Sequence, residues 1–207
     1  MSDETRGLGR KRGRPGLAEH TEAQILKSAR ALLAEKGAGA LRVRELAQRA
    51  GIATGSLYKF FPDLDALIGA VNLQTYRELT QYVEAAKRDH SGGACQQRLM
   101  LLATAYLGFV RENAALWSAL LDYNRGRSER PEAFVDAEDA LFALVEEELS
   151  RLPELSVETR PALARALWAS VHGIVVQTLP NSLKPDPMAD TLAQIELIIG
   201  AVARDYS

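Results

Sequence analysis

The stretch Val43-Arg44-Glu45-Leu46-Ala47-Gln48-Arg49-Ala50-Gly51-Ile52-Ala53-Thr54-Gly55-Ser56-Leu57-Tyr58-Lys59-Phe60-Phe61 decides the fold of this 207-residue chain. Val43, Leu46, Ala47 and Ala50 recur at i, i+3, i+4 and i+7, the stripe of a short amphipathic helix. Gly51 follows, and glycine readily takes the positive φ that ends a helix. A further helix is predicted almost at once, roughly Thr54 to Phe60, with Leu57 and Phe61 turned to the core at i and i+4. Two helices joined by a short glycine-containing turn form the layout in which the second enters the DNA major groove and the first braces it.

Working outward, Thr21-Glu22-Ala23-Gln24 has capping-box spacing. It opens a helix carrying Ile25, Ala29, Leu32 and Leu33 on one face, and Gly37 closes it. After Pro62 the pattern Leu67, Ile68, Val71, Thr75, Leu79, Val83, Ala86 predicts a helix of over 20 residues, a rod of about 30 Å or more at 1.5 Å per residue. Further helical segments are predicted at about 95–113, 115–123, 131–152, 159–179 and 188–204. Pro131 and Pro161 sit where a first-turn proline is tolerated, and Pro180, Pro185 and Pro187 separate the last two segments. Asn124 to Arg130 reads as a loop. No strand-like alternation competes. The expected fold is all-α: a flexible basic arm over residues 1–18, a three-helix DNA-binding head over 19–64, and a larger helical ligand-binding and dimerisation domain over 65–207.

Charge supports this division. Residues 1–61 carry 12 Lys/Arg against 6 Asp/Glu and the remainder 13 against 21, out of totals of 25 and 27. A basic end on an acidic body suits one surface facing phosphates while the rest is repelled from them. The single cysteine, Cys95, excludes a disulfide framework. No apolar run reaches the 18 or so residues of a membrane span, so membrane is not an expected partner and the expected location is the cytoplasm, on the nucleoid.

The exposed positions of the predicted second helix suit nucleic acid. Gly55 would let the backbone approach the duplex; the Ser56 and Tyr58 hydroxyls and the Lys59 ammonium suit phosphate oxygens. Arg44 is the candidate for a bidentate contact to guanine and Thr54 for a base edge or thymine methyl. The motif from Val43 to Phe61, with the Ile25-Leu26 start and the Phe61-Pro62…Ala66-Leu67 close, resembles the head of the TetR family of regulators. The resemblance implies a DNA-facing set of Arg42, Val43, Arg44, Thr54, Gly55, Ser56, Tyr58, Lys59 and Phe60. Three departures accompany it. Arg42 stands where the family usually has a capping threonine, Phe60 where it often has histidine, and Leu64 where it usually has a phosphate-binding lysine. The arm offers compensation: Arg10, Lys11, Arg12 and Arg14 surround an Arg-Gly-Arg-Pro that resembles the AT-hook core, either reading an A/T minor groove or serving as a non-specific basic tail.

One short recognition helix per chain calls for a homodimer on a pseudo-palindromic double-stranded operator. The last two helices offer the expected interface, through Leu167, Trp168, Val171, Val175, Ile195, Ile198, Ile199 and Val202. Trp168-Ala169-Ser170-Val171-His172-Gly173 resembles the Trp-x3-His-Gly signature of one subgroup. The resemblance also implies a small, largely apolar effector, for which Tyr76, Met100, Tyr106, Phe109, Trp117, Tyr123, Phe142 and Gln177 are the candidate lining. A regulator controlled by a protein partner or an architectural factor is the alternative, and a helical enzyme a more distant one. No phosphate-cradling loop, nucleophile with a neighbouring base, or metal-ligand spacing is visible. His172 reads as structural, and no cofactor, catalytic residue or metal is expected.

Overall fold

The computed structural model describes residues 15–37, 39, 41–89, 92–124, 131–178 and 187–207. Among them all regular structure is helical: α1 (Pro15–Lys36), α2 (Val43–Ala50), a 3-10 helix (Thr54–Lys59), α3 (Leu64–Arg88), α4 (Cys95–Glu112), α5 (Ala114–Asn124), α6 (Glu132–Leu149), α7 (Arg160–Thr178) and α8 (Pro187–Asp205). No described helix is long and apolar enough to cross a membrane.

The first helix starts earlier than its capping signal suggests. Pro15 opens it, a position where the missing N–H costs nothing because it would be unpaired anyway. Thr21 is inside the helix and its hydroxyl donates to the Leu17 carbonyl at 2.8 Å, so it caps nothing. Residues 15–18 therefore belong to α1. Residues 1–14, with Arg10, Lys11, Arg12 and Arg14, lie outside the described residues, as do 125–130 of the expected loop and Pro180 and Pro185. At the other end Gly37 takes φ +74° and its N–H reaches the Leu33 carbonyl at 2.9 Å. The α3 N-terminus is capped by Asp63, whose carboxylate accepts from the Ala66 N–H at 2.7 Å.

Packing forms two apolar clusters. The head cluster contains Ile25, Leu32 and Leu33 of α1, Leu46 of α2, Leu57 and Phe61, then Leu67 and Val71 of α3, and finally Leu116 and Ala119 of α5. The body cluster takes Tyr76, Leu79 and Val83 from α3 and Trp117 and Leu120 from α5, with α4, α6, α7 and α8 closing around them. Thus the packing of the head continues across residue 64 into two helices that also build the body. Arg30 reinforces the join from α1, bonding Glu78 at 2.6 Å and the Thr75 hydroxyl at 3.3 Å on α3.

At the far end of the body a buried carboxylate ties three helices. Glu148 of α6 is fully buried; Arg98 of α4 donates to it through Nε at 2.5 Å and Nη2 at 2.8 Å, and Lys87 of α3 lies at 3.2 Å. Burial pushes the Glu148 carboxyl up, but hydrogen bonds and charge from Arg98 and Lys87 outweigh it and hold the carboxyl below its ordinary value. A lowered carboxyl stabilises the fold above its unfolded pKa and loses that contribution as pH falls through its folded pKa. Glu148→Gln is therefore expected to lower the urea midpoint at neutral pH. The gap from the parent chain should narrow as the solution is acidified through the carboxylate range, and unfolding curves across that range check it.

Candidate nucleic-acid interface and interior cavity

The α2 helix ends in a geometry set by one residue. Gly51 takes φ +68°, its N–H bonds the Gln48 carbonyl at 3.2 Å, and the Ile52 N–H bonds the Ala47 carbonyl at 3.0 Å. This pair of bonds is the Schellman motif, which turns the chain sharply into the next helix. That next helix is 3-10 rather than α, running Thr54–Lys59, with Leu57 as its buried anchor. Its tighter turn still leaves Thr54, Gly55, Tyr58 and Lys59 exposed and Ser56 half-buried. Tyr58, 53% exposed, is a surface aromatic and not part of the core.

The head's cations fall into two groups. Lys36 pairs with Glu45 at 2.5 Å, while Arg49 forms a two-pronged pair with Glu35 at 2.7 and 2.5 Å, bracing α1 against α2. The Arg49 hydrogen bond holds the Glu35 carboxyl below its ordinary value. Arg42 precedes α2 with no side-chain cap, and its guanidinium folds back to the Gly39 and Leu41 carbonyls at 2.9 and 3.1 Å. Arg44 and Lys59, by contrast, are exposed and form no ion pair among the described residues. Val43 and Phe60 are half-buried against the head cluster, so they offer a duplex only an edge.

The body contains an apolar cavity of about 40 Å³, bordered by side chains of α3, α4, α6, α7 and α8 including Val83, Tyr106, Leu141, Trp168 and Ile199. Of the eight residues expected to line a pocket, only Tyr106 borders it. Tyr76 meets Trp117 and Phe134 edge to face, with centroids 6.2 and 5.9 Å apart, while Tyr123 stacks on Phe134 at 5.7 Å. Phe109 packs on Tyr82 instead, and Phe142 on Trp168 with Arg165 over its other face. Met100 is half-buried beside the body cluster. Gln177 is exposed on α7. Aliphatic linings such as Leu99 and Leu102 carry no sequence signal that separates them from ordinary core.

Tyr106 anchors a polar point in this region, its hydroxyl hydrogen-bonded to His172 Nδ1 at 2.7 Å. Burial pushes the phenol far above its ordinary value and lowers His172, which Glu138 only partly offsets. His172 also stacks on Trp168 at 6.4 Å, the arrangement of a packed, neutral imidazole.

The residues expected at a dimer interface pack largely within the protomer itself. Leu167, Val171, Val175, Ile195 and Ile199 are buried inside the protomer, and Trp168, Ile198 and Val202 are half-buried against the same cluster. The larger apolar face of each helix goes to the protomer's own core because that is where most area leaves water. Small residues face outward instead: Ala162, Ala166 and Ala169 on α7, and Ala193 and Ala201 on α8 flanking Leu197, which is 72% exposed.

Residues 25–71 match the model described as bacterial regulatory proteins, tetR family, and residues 99–202 match that described as tetracyclin repressor-like, C-terminal domain. An HTH-type transcriptional regulator of Mycobacterium tuberculosis is 26% identical over 102 residues, covering 49% of this chain. The match spans 44% of that relative's length, less than half. A protein of unknown function from Rhodococcus sp. RHA1 superposes with a TM-score of 0.73 at 20% identity, over 97% of this chain and 99% of its own. The transcriptional regulator FadR from Bacillus subtilis, in complex with stearoyl-CoA, gives 0.66 at 16% identity, over 86% and 97%. At these identities the two structures establish a common fold.

The turn between α2 and the 3-10 helix generates a direct test. A Cβ at Gly51 would meet no heavy atom within 4 Å, so the cost of Gly51→Ala is purely that of the left-handed backbone. The variant is expected to lose about 1–2 kcal/mol of stability in urea unfolding.

Proposed function

Because the chain belongs to the TetR family of bacterial regulatory proteins, we propose that it is a homodimeric, sequence-specific DNA-binding regulator, released from a pseudo-palindromic operator by a small ligand held in the body. The observation that carries this reading is the exposed face of the 3-10 helix next to the unpaired Arg44 and Lys59. Lys59, Ser56 and Tyr58 hold phosphates, Arg44 and Thr54 read base edges, and Gly55 admits the backbone close to the duplex. The arm over residues 1–14 adds positive charge along the same DNA.

A ligand acts through the two helices that belong to both clusters. Repacking α3 and α5 in the body moves Leu67, Val71, Leu116 and Ala119 under the head, changing the separation of the two heads in a dimer. Tenfold release requires that the ligand favour the released form by about 1.4 kcal/mol. The stearoyl-CoA complex of the Bacillus subtilis regulator supports a ligand-bound state for this fold.

The outward stripe of α7 and α8, centred on Leu197, is our dimer interface: alanines allow close helix approach and the exposed leucine supplies buried area. Leu197→Arg is expected to sediment as a monomer at micromolar concentration and to bind operator at least tenfold more weakly; an unchanged dimer places the interface elsewhere. Selection of bound sequences from random DNA is expected to return an inverted repeat. Arg44→Ala should relax preference at one position of each half-site, and unchanged preference removes Arg44 from base reading.

A further inference from the structure

Among the described residues, buried side-chain polar atoms without a hydrogen-bond partner occur on Asn72 and Trp117, and at Arg160 Nε near the start of α7. Asn72 is 0% exposed and both its Oδ1 and Nδ2 lack a hydrogen-bond partner; Trp117 is 2% exposed and its indole Nε1 lacks one. Native interiors rarely leave such groups orphaned, and the exceptions mark sites where a ligand or water completes them.

Asn72 and Trp117 belong to helices that pack against each other, α3 and α5. Asn72 lies three residues beyond Gly69 and four before Tyr76 on α3. A Cβ at Gly69 would sit 2.6 Å from the Tyr123 hydroxyl of α5, and the Tyr76 ring meets Trp117 of α5. Asn72 is thus one turn from side chains that meet α5 on either side. Trp117 in turn meets Tyr106 at 5.6 Å, and Tyr106 borders the apolar cavity. Ring contacts thus run from the cavity wall at Tyr106 through Trp117 to Tyr76, which lies one helical turn from Asn72. Val83, the α3 residue on the cavity wall, lies eleven positions beyond Asn72. At 1.5 Å per residue that is a span of roughly 16 Å.

The cavity wall contains no Asp, Glu, Lys or Arg. The buried cation on α4, Arg98, is already committed to Glu148, and His172 is held neutral by its burial. An ion entering here would lose its hydration with no opposite charge to replace it, whereas a neutral polar group would find two unsatisfied partners.

We propose that the effector is an elongated, uncharged molecule whose apolar portion fills the cavity and whose terminal hydroxyl or carbonyl bonds Asn72 and the Trp117 N–H. This rests on the reading of the chain as a ligand-released regulator, and it assigns Asn72 and Trp117 the choice of neutral over charged ligands. Tyr106 must turn aside for the two ends of the site to connect, because it stands between them.

Three probes with a ten-carbon chain test the assignment on the full chain: 1-decanol below its solubility limit, and decanoate and decyltrimethylammonium below their micelle concentrations. The alcohol is expected to raise the melting temperature, and to shift the emission of Trp117 in a Trp168→Phe chain, where it is the single tryptophan left of two. The two ions should do neither. Asn72→Leu should melt no lower than the parent without probe and bind 1-decanol at least roughly fivefold more weakly, having lost one hydrogen-bonding partner. No response to the alcohol, equal stabilisation by either ion, or unimpaired decanol binding by Asn72→Leu overturns the proposal. DNA release is scored on the same samples. Binding of the alcohol without release contradicts the regulatory reading while upholding the ligand class; release by an ion alone contradicts the ligand class and leaves the regulatory reading standing.

Discussion

Leu116 and Ala119 of α5 pack into the head cluster, while Trp117 and Leu120, each one position further along, pack into the body cluster. Neighbouring positions on a helix point about 100° apart, so this short helix is wedged between two cores by alternate faces. α3 repeats the pattern lengthwise, with Leu67 and Val71 in the head and Tyr76, Leu79 and Val83 in the body. Burying each such side chain stabilises by about 1.5–3 kcal/mol. Neither helix can shift by a fraction of a turn without exposing or crowding side chains at both ends. Head orientation is therefore a property of the body's packing, and the Arg30 bonds to Glu78 and Thr75 hold the two in one registry.

Charge is spent on two different tasks in the head. The Lys36–Glu45 and Arg49–Glu35 pairs are solvent-exposed and contribute little energy, but they fix the angle between α1 and α2 and occupy two of the head's cations. Arg42 is partly consumed by its own loop. A single protomer thus presents few unpaired cations around its recognition helix, and each phosphate contact adds only one step of counterion release. In the proposed dimer the set is doubled across the twofold axis, which would make dimerisation part of the DNA-binding chemistry.

The sequence made the helix-turn-helix legible because its signals are local: a 3.6-residue stripe stopped by glycine, and Leu57 with Phe61 as paired anchors. The 3-10 winding of Thr54–Lys59 was not legible, since over six residues the i+3 and i+4 patterns share nearly the same buried positions. The start of α1 was misread because the Thr21-to-Gln24 spacing imitates a cap, and Pro15 six residues earlier supplies the real start. For α7 and α8 the apolar stripe is legible, but not that it packs within the protomer's own core. Leu167 and Ile195 look alike whether they meet their own core or a second chain, and only the small residues on the opposite face distinguish the two. Asn72 is detectable in principle, as an amide between Val71 and Leu73 and four residues before Tyr76, on the apolar stripe of an amphipathic helix.

The apolar cavity of the body is small: about 40 Å³, whereas small-molecule sites run to roughly 300–1,000 Å³. An effector cannot be accommodated by filling a void, so it has to displace packed side chains. Among an otherwise aliphatic wall two rings stand at the cavity, Tyr106 and Trp168, with Trp117 packed on Tyr106 and Tyr76 on Trp117. Close-packed interiors respond by switching between alternative packings and do not deform smoothly. Trp117 is carried by α5 and Tyr76 by α3, the same two helices whose other residues form the floor of the head. A closely packed interior is thus what makes binding consequential: had a large pocket been preformed, a ligand could occupy it without moving either helix.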